Sequence, residues 1–451
     1  MGCCDYVLIC CNLQEIYTAL RTHHTHSINN IDEFKNRLLH WAQQFNEVVW
    51  LDSNSYSEHQ NTYDLIVAVE AFSNLQATTY QAFKELRSYQ SKVKDWIFGY
   101  LTYDLKNDLE DLESQNKDEL EFPELWFFQP KKVFLIKGTT VEVQYLKEYH
   151  DAINLDLKQI ENYSVSKETN VNDSKQIKIK LQIHKDAYVE KVTAMLTHIH
   201  RGDIYEANFC QEFYADNTHI NPLETYLKLN AISKPPFATF LKCDDKYLLS
   251  ASPERYLKKA GHKVISQPIK GTAKRSLDPI QDAQLKFDLE HDQKERSENI
   301  MIVDLVRNDL AHTALKGSVV IEELCKVYSF EQVHQMISTV SSTVEAFTHP
   351  VDIIASTFPM GSMTGAPKIS AMKIIEELEE TKRGLYSGAV GYITPEGDFD
   401  FNVVIRSILY NESKNYVSYS VGSAITAKSD PLKEYEECLI KAKAMREVLE
   451  N

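Results

Sequence analysis

The alternation of apolar and polar positions along the chain predicts a mixture of helices and antiparallel strands. Short β-branched runs at Val48–Leu51 and Leu65–Val69 indicate strands. Lys185–Gly202 instead carries apolar side chains at the three- and four-residue spacing of a helix. Phe237–Leu241 and Tyr247–Ala251 are typical of paired strands joined by a short polar turn. Because these hairpins occur without regular βαβ alternation, the pattern favours an antiparallel α+β fold over a doubly wound sheet.

The C-terminal part of the chain carries the clearest element boundaries. Ser387–Thr394 and Asp398–Tyr410 flank a Pro-Glu-Gly turn and predict a hairpin. Asp430 is the expected N-cap of a terminal helix that begins at Pro431, since proline suits the first helical turn. One face of this helix is predicted to carry Leu432, Tyr435, Leu439, Ala442 and Leu449.

The N-terminal part gives weaker signals. Trp96–Tyr103 and Lys132–Ile136 predict strands, and Thr79–Arg87 predicts a helix. Three histidines between His23 and His26 lie in a polar stretch, which predicts a solvated loop rather than a metal site. A polar linker is expected at 161–179, between a region at 1–160 that contributes to the sheet core and a catalytic region at 180–451.

Composition excludes several classes of function. The 451 residues carry a net charge of −16, which argues against nucleic-acid binding, because that requires a basic face over the phosphates. No run of about 18 apolar residues predicts a membrane span, and no secretory signal is evident. The eight cysteines lack the spacing of a zinc site, so we expect free, mostly buried thiols in a reducing cytoplasm. Four of these thiols, Cys3, Cys4, Cys10 and Cys11, form two adjacent pairs.

Two acidic pairs are candidate metal ligands. Glu295 and Glu298 are three residues apart, as are Glu434 and Glu437 in the terminal helix. Residues i and i+3 share a helix face, and four converging carboxylates would need a cation such as Mg²⁺. Acidic pairs at this spacing are also common on solvated helix faces, so both interpretations stay open.

Other segments are ambiguous one at a time. Arg406 interrupts an apolar run and needs an anionic partner, either a protein carboxylate or a substrate, unless it lies on a solvated strand face. Lys270 follows a proline by two residues and is followed directly by a glycine. Such a backbone could direct the lysine amine into a cleft. The segment Gly365-Ala366-Pro367-Lys368 fits either an anion site at a helix start or an ordinary loop-to-helix entry.

Seven segments, taken in order between residues 185 and 450, resemble the chorismate-utilising enzyme family. They are GDIYEANFCQEF (202–213), SASPERYL (250–257), QPIKGT (267–272), ERSENIMIVDLVRNDL (295–310), GSMTGAPK (361–368), FNVVIRSIL (401–409) and EYEEC (434–438). The resemblance implies two subdomains of packed antiparallel sheets with outer helices and an active-site cleft between them. Residues 1–160 are similar to the family's variable region only through GYLTYDL at 99–105.

The resemblance also implies a reaction. Lysine at position 270 is typical of the aminodeoxychorismate synthases, whereas anthranilate and isochorismate synthases have alanine there. The amine of Lys270 would add to C2 of chorismate while Glu254 protonates the departing C4 hydroxyl, and ammonia would then displace the lysine. Burial is expected to lower the pKa of Lys270 and raise that of Glu254, although carboxylates unsatisfied by a metal would raise the pKa of Lys270 instead.

Further roles carry over by position. Glu298 and Glu437 match direct Mg²⁺ ligands, and Glu295 and Glu434 match carboxylates that reach the ion through water. The matched substrate contacts are Arg406 and Tyr392 at the enolpyruvyl carboxylate, Gly271 and Thr272 at the ring, His334 near the reacting ring, and a turn of Gly422, Ser423 and Ala424 over a carboxylate. Three positions depart from the family pattern: Ala424 replaces glycine, Lys428 replaces aspartate, and Glu206 replaces the commoner glutamine.

The predicted function is therefore Mg²⁺-dependent amination of chorismate to 4-amino-4-deoxychorismate, for 4-aminobenzoate and folate synthesis. No Gly-x-Cys-x-Gly nucleophile loop is present, so ammonia would come from a separate glutamine amidotransferase subunit or from solution. One alternative is the large subunit of anthranilate synthase. Another, of a different class, is a catalytically silent binding or regulatory subunit.

Overall fold

A computed structural model describes residues 20–56, 62–165 and 177–451. Cys3, Cys4, Cys10 and Cys11, together with most of the predicted linker, lie outside these residues. The boundaries predicted for domains therefore stay a prediction. Among the described residues, no helix is long and apolar enough to cross a membrane.

The strands form one hydrogen-bonded sheet in which the paired strands run antiparallel. The bounds are β1 Arg21–Ser27, β2 Glu47–Asp52, β3 Leu65–Ala77, β4 Ile97–Leu101, β5 Leu125–Lys137, β6 Thr140–Leu146, β7 Lys180–Leu181, β8 Glu206–Ala215, β9 Phe237–Cys243, β10 Lys246–Ser252, β11 Arg255–Ala260, β12 Lys263–Gln267, β13 Ile269–Lys274, β14 Val320–Ser329, β15 Val333–Thr343, β16 Gly365–Ala366, β17 Ala389–Ile393, β18 Phe399–Val403, β19 Ser407–Asn411 and β20 Tyr416–Thr426.

The α-helices lie on the outside of this sheet. They are α1 Ile31–Ala42, α2 Ala82–Val93, α3 Lys106–Leu109, α4 Ile153–Glu161, α5 Lys185–Arg201, α6 Pro222–Ser233, α7 Pro279–His291, α8 Gln293–Ala311, α9 Pro350–Thr357, α10 Lys368–Leu378 and α11 Pro431–Glu450. Short 3₁₀ turns occur at Tyr103–Leu105, Lys147–Ala152 and Gly361–Met363. The α+β class with antiparallel strands is confirmed.

The sheet folds back on itself at the long strands β3 and β5. One arm runs β3–β2–β9–β10–β19–β20–β8, and the other runs β5–β4–β17–β18–β11–β12–β15. The two sheets expected from the sequence are therefore two arms of one continuous sheet, joined where β3 pairs with β5.

Strand alternation divides the core into two layers. In β2, Val48 and Trp50 face a core covered by α1, α5, α6 and α11, whereas Val49 faces the opposite arm. The same alternation recurs in β10, where Leu249 faces the helices and Leu248 faces the opposite arm. This alternation follows from strand geometry, in which successive side chains point to opposite faces of the sheet. Strands and helices of this arrangement line the cleft described below.

Several local predictions are confirmed. Helix α5 ends at Arg201 with Gly202 in the left-handed conformation at φ +91°, and β9 pairs with β10. The Asp430 carboxylate accepts hydrogen bonds from the Leu432 and Lys433 N–H groups and caps α11. The four cysteines within the described residues are free and buried: Cys210, Cys243, Cys325 and Cys438.

Other predictions are wrong in detail. The histidines at 23–26 form the edge strand β1, which pairs with β6, and are not in a loop. The helix expected from Thr79 begins at Ala82, because Gln81 adopts a left-handed φ of +57°. The buried face of α11 excludes Leu432 and Leu439, which are 49% and 37% exposed, and uses Cys438 and Met445 instead.

Candidate active site

A cavity of about 530 Å³ collects most of the predicted site residues. Of these, its lining includes Glu254, Lys270, Gly271, Thr272, Glu295, Glu298, Arg406, Gly422, Ser423, Ala424, Glu434 and Glu437. These side chains come from β13, α8, β20, α11 and the loops that follow β10 and β18. Residues far apart in sequence thus meet in one cleft, as the family resemblance implied.

Lys270 and Glu254 form the candidate reacting pair. The Lys270 Nζ atom lies 3.2 Å from Glu206 Oε1, and its side chain is only 13% exposed. Burial alone would lower the pKa of Lys270, but the carboxylates of Glu206 and Glu298 outweigh it and raise the pKa. The largest electrostatic cause of this upward shift in the pKa of Lys270 is Glu206, which is not one of the four candidate metal ligands.

Glu254 has the environment of a general acid. It is 5% exposed, and burial raises its pKa to about 7, against opposing contributions from Ser362 and Lys270. A carboxyl group with this pKa is about half protonated at neutral pH, and its protonated form can donate to a leaving hydroxyl. The expected upward shift in the pKa of Glu254 is confirmed.

The two acidic pairs face the same cavity from different helices. Glu295 and Glu298 lie on α8, and Glu434 and Glu437 lie on α11. Burial raises the pKa of Glu298 to about 7, whereas Lys441 outweighs burial and lowers the pKa of Glu437. The Glu434 carboxylate accepts a short hydrogen bond from the Ser423 hydroxyl.

The donor chemistry of this quartet fits Mg²⁺. Within residues 20–56, 62–165 and 177–451, no three potential ligands come close enough to hold a metal ion as they stand. Glu298 Oε1 is nevertheless buried without a hydrogen-bond partner, and its contact with the Lys294 ammonium is a long ion pair of 3.7 Å. A set of carboxylate oxygens that includes a buried oxygen without a hydrogen bond suits a hard divalent cation.

Arg406 is a cation directed at the cavity. It follows β18 at a left-handed φ of +53°, which breaks the predicted second strand of the hairpin into β18 and β19. Its guanidinium makes no hydrogen bond or ion pair within the described part of the chain, and burial lowers its pKa. A desolvated guanidinium without a protein partner is suited to gripping a substrate carboxylate with two bonds.

Two predicted residues are not at the cavity. His334 is 1% exposed and bonds to Asp282 and Ser329, at 3.0 and 2.9 Å, instead of lining the cavity. Its neighbours Val333 and Gln335 do line the cavity, because alternate residues of β15 face it. Gln335 Oε1 is buried without a hydrogen-bond partner, so Gln335 is the polar side chain that this part of β15 presents to the cavity.

The second correction concerns Tyr392. Its ring packs against Trp96 and Phe98, with centroids 5.5 and 5.8 Å away, on a different part of the sheet. Tyr386, six residues earlier, lines the cavity that also contains Arg406. Of the two tyrosines, Tyr386 is therefore the one at the cavity, and it lies in the turn that precedes β17.

The segment at 422–424 is part of strand β20 and not a turn. Gly422 pairs with Cys210, Ser423 with Phe209 and Ala424 with Asn208. Ala424 needs no left-handed conformation there, so its departure from glycine leaves the backbone unstrained. Nothing in the structure explains Lys428, which is exposed.

The glycine-proline segment before α10 has a structural role. Gly365 pairs with Ala207 of β8, and Lys368 Nζ bonds to Asp309 at 2.7 Å, tying α10 to α8. An ideal Cβ on Gly365 would lie 2.2 Å from the Glu206 carbonyl oxygen, so only glycine fits. Of the wider motif, Ser362 and Met363 reach the cavity.

Further cavity residues were not predicted. They include Asn208, Lys274, Lys294, Ser362, Met363, Ser420, Ile440 and Lys441, besides Gln335 and Tyr386. Lys294 and Lys441 each lie four residues from a predicted glutamate, Glu298 and Glu437 respectively, so helical spacing alone could have indicated them.

Comparisons with known proteins agree with this geometry. A family model described as chorismate binding enzyme matches residues 40–447. Aminodeoxychorismate synthase component 1 of Klebsiella aerogenes is 37% identical over 267 residues, covering 59% of this chain and 58% of that protein. Anthranilate synthase component 1 of Thermus thermophilus is 32% identical over 359 residues, covering 78% of this chain and 77% of that protein.

A solved structure supports the same relationship. The crystal structure of anthranilate synthase component I from Streptococcus pneumoniae TIGR4 superposes with a TM-score of 0.75 at 25% identity, covering 84% of this chain and 91% of that one. In three aminodeoxychorismate synthases, the matched segment makes up between 30% and 58% of the relative's own length. Since the family model spans most of the sequence and the cavity holds the motif residues, the chain belongs to the chorismate binding enzyme family.

Proposed function

We propose that this chain converts chorismate and ammonia into 4-amino-4-deoxychorismate. The observation that carries the proposal is the placement of Lys270 and Glu254 in one cavity with four glutamates and the unpartnered Arg406. A primary amine and a proton donor at one end of a substrate suit a displacement through a covalent lysine adduct.

Chorismate is a dianion, and the cavity offers two means of holding its carboxylates. Arg406, with Tyr386 beside it in the cavity lining, would bind one of them. Glu298 and Glu437 would hold Mg²⁺ directly, and Glu295 and Glu434 would hold it through water. The ion, when bound, neutralises the ring carboxylate and fixes its position.

The amine nitrogen is proposed to come from a separate glutamine amidotransferase subunit, or from ammonium in solution. Relatives named as component 1 of aminodeoxychorismate synthase support this proposal, because their names imply a second component. The product would enter 4-aminobenzoate and folate synthesis.

Anthranilate synthesis is the second candidate. The match to the Thermus thermophilus anthranilate synthase extends over more of both chains than the match to the Klebsiella aerogenes aminodeoxychorismate synthase. The lysine at 270 favours the first candidate, since anthranilate formation has no use for a covalent amine at this position.

Product analysis separates these candidates. Purified protein is incubated with chorismate, Mg²⁺ and ammonium chloride, and the products are identified by liquid chromatography and mass spectrometry. We expect 4-amino-4-deoxychorismate from the wild type and none from Lys270→Ala. Lys263→Ala, which removes a half-exposed lysine paired with Glu322, is the matched control and should keep full activity.

Either of two results would contradict the proposal. Anthranilate as the main product would support the second candidate. Unchanged chorismate with every variant would indicate a silent binding subunit.

A further inference from the structure

Glu206 is a buried carboxylate immediately beside the candidate nucleophile. It begins strand β8 and is held on both sides, since its backbone pairs with Ala366 and Thr426. The residue is 1% exposed and does not line the cavity, whereas Lys270 does. The Lys270 amine therefore lies between Glu206 and the cavity.

Glu206 is the one carboxylate in ion-pair contact with Lys270 among the described residues. Its Oε1 atom is 3.2 Å from Nζ, and its Oε2 atom is buried without a hydrogen-bond partner. Glu254 and Glu298 also face the amine, but neither comes within 4.0 Å of it in the described part of the chain. A buried carboxylate with one free oxygen has an open position for a proton.

We propose that Glu206 accepts a proton from the Lys270 ammonium before attack and returns it when the lysine leaves. This inference rests on the proposed function, because it states which residue takes the proton of Lys270, the nucleophile of that reaction. It gives the chain a proton-transfer residue that is separate from Glu254, which serves the departing hydroxyl.

The proposed steps balance in atoms and charge. Glu206 takes a proton from Lys270, whose neutral amine forms the N–C2 bond as the C4–O bond breaks. The hydroxyl departs as water with the proton of Glu254. Ammonia then forms the C4–N bond as the C2–N bond breaks, which releases Lys270 as a neutral amine. The amine recovers its proton from Glu206, and Glu254 is reprotonated by the new ammonium group or by solvent.

This arrangement makes a distinct prediction about pH. Five carboxylates influence or are influenced by the charge on Lys270: Glu206, Glu254, Glu295, Glu298 and Glu437. Transfer within the Lys270–Glu206 pair changes no net proton count, so the fraction of neutral amine is independent of pH. With glutamine at 206, the amine must release its proton to solvent, and that fraction rises tenfold per pH unit below the pKa of the lysine.

The test compares wild type with Glu206→Gln at the first chemical step. Protein, Mg²⁺ and saturating chorismate are mixed without ammonia, quenched, and assayed for adduct on Lys270 by mass spectrometry from pH 6 to 8. Glu254 and the metal ligands are common to both proteins, so their effects cancel in the ratio of adduct-formation rates. We expect the ratio of wild-type to variant rate to rise about tenfold for each unit that the pH falls.

A matched control uses the same strand. Glu212→Gln replaces a glutamate of β8 that is 7% exposed and accepts a hydrogen bond from Tyr416 instead of contacting Lys270. Its rate ratio to wild type should be the same at every pH. Thermal unfolding of both variants establishes that they are folded.

A second readout does not depend on turnover. Competitive acylation of Lys270, scored against exposed lysines in the same digest, should increase severalfold in Glu206→Gln at pH 8, because the ammonium has lost its contact carboxylate. A pH-independent rate ratio, or unchanged acylation, would overturn the role of Glu206 alone. Formation of 4-amino-4-deoxychorismate without any adduct on Lys270 would overturn the covalent step, and the role of Glu206 with it, but not the proposed function. Anthranilate as the main product, or no turnover at all, would overturn the proposed function itself.

Discussion

Single residues at the cavity show how the position of a residue in the fold decides which side chain reaches the site. Tyr386 and Tyr392 both occur in the segment before β18, yet Tyr386 alone of the two lines the cavity. Tyr386 lies in the turn that precedes β17, whereas Tyr392 lies within β17 and packs against Trp96. The distinction depends on where the folded chain places the turn and the strand, which a single sequence does not reveal.

Tyr386→Phe is expected to weaken chorismate binding. A hydrogen bond to a charged group is worth about 1.5–3 kcal/mol, so the KM for chorismate should rise by roughly tenfold or more. Tyr392→Phe is the matched control, since that ring packs against Trp96 away from the cavity. Steady-state kinetics of the two variants would contradict our assignment if Tyr392→Phe gave the larger change in KM.

Glu254 should make turnover depend on pH near neutrality. Burial raises its pKa to about 7, so the carboxyl group holds the proton it must donate below that pH and loses it above. The rate at saturating substrate should therefore fall as the pH rises above about 7. Glu254→Gln should lose turnover at every pH while still binding chorismate, as measured by calorimetry. Full activity of Glu254→Gln would exclude this residue as the acid.

The Arg383–Glu379 pair shows how elements position the site. Arg383 follows α10, binds Glu379 through two hydrogen bonds and donates to the carbonyl oxygens of Met363 and Asn208, both at 2.6 Å. Met363 and Asn208 line the cavity, so one buried arginine holds two walls of the site together. Sequence spacing could not reveal this link, because its partners are 20 and 175 residues away.

Arg383→Met should destabilise the whole fold. It leaves Glu379 buried and unpaired, which costs about 3–5 kcal/mol for comparable buried pairs. Chemical denaturation measures the loss. Arg446→Met, which removes half of an exposed pair with Glu450 on α11, should cost under about 1 kcal/mol. Equal losses in the two variants would show that burial of the Arg383 pair contributes nothing.

At the element scale, the sequence was most informative where one periodic pattern was long. Helix α5 and the capped start of α11 follow directly from apolar spacing and from Asp430 before a proline. The turn expected at 422–424 came from the family resemblance and not from a local pattern, and these residues lie within strand β20. Ten residues of this strand pair with β8.

The whole molecule places its chemistry in one part of the chain and its support in another. Among the described residues, those that line the main cavity fall between 208 and 441. The N-terminal strands contribute pairing instead, since β2 pairs with β9 and β4 pairs with β17. The four glutamates of the cavity were predictable from the motifs. The electrostatic cost of burying their negative charges was not predictable, because it depends on how far each side chain is buried.

That electrostatic cost predicts how Mg²⁺ affects the stability of the whole protein. Burial raises the pKa of Glu298 to about 7, above its value in the unfolded chain, so the folded state favours the protonated form. Without metal, the stabilisation from protonated Glu298 is present at low pH and is lost as the pH rises through about 7. Glu254 shifts in the same direction and adds to this trend.

Added Mg²⁺ should reverse the loss at pH 8, because a ligand that binds only the folded state stabilises it by about 2.7 kcal/mol at one hundred times its Kd. Glu298→Gln should abolish most of the rise in Tm on adding Mg²⁺. In the presence of a chelator, the Tm of this variant should also fall less between pH 5 and 8 than that of wild type, because the carboxylate that must ionise is absent. Glu377→Gln, at an exposed position on α10, should behave as wild type in both respects. If Mg²⁺ raised the Tm of Glu298→Gln as much as that of wild type, the metal would bind elsewhere. Removing a carboxylate that coordinates the ion should weaken binding and so reduce the stabilisation that the ion gives to the folded state.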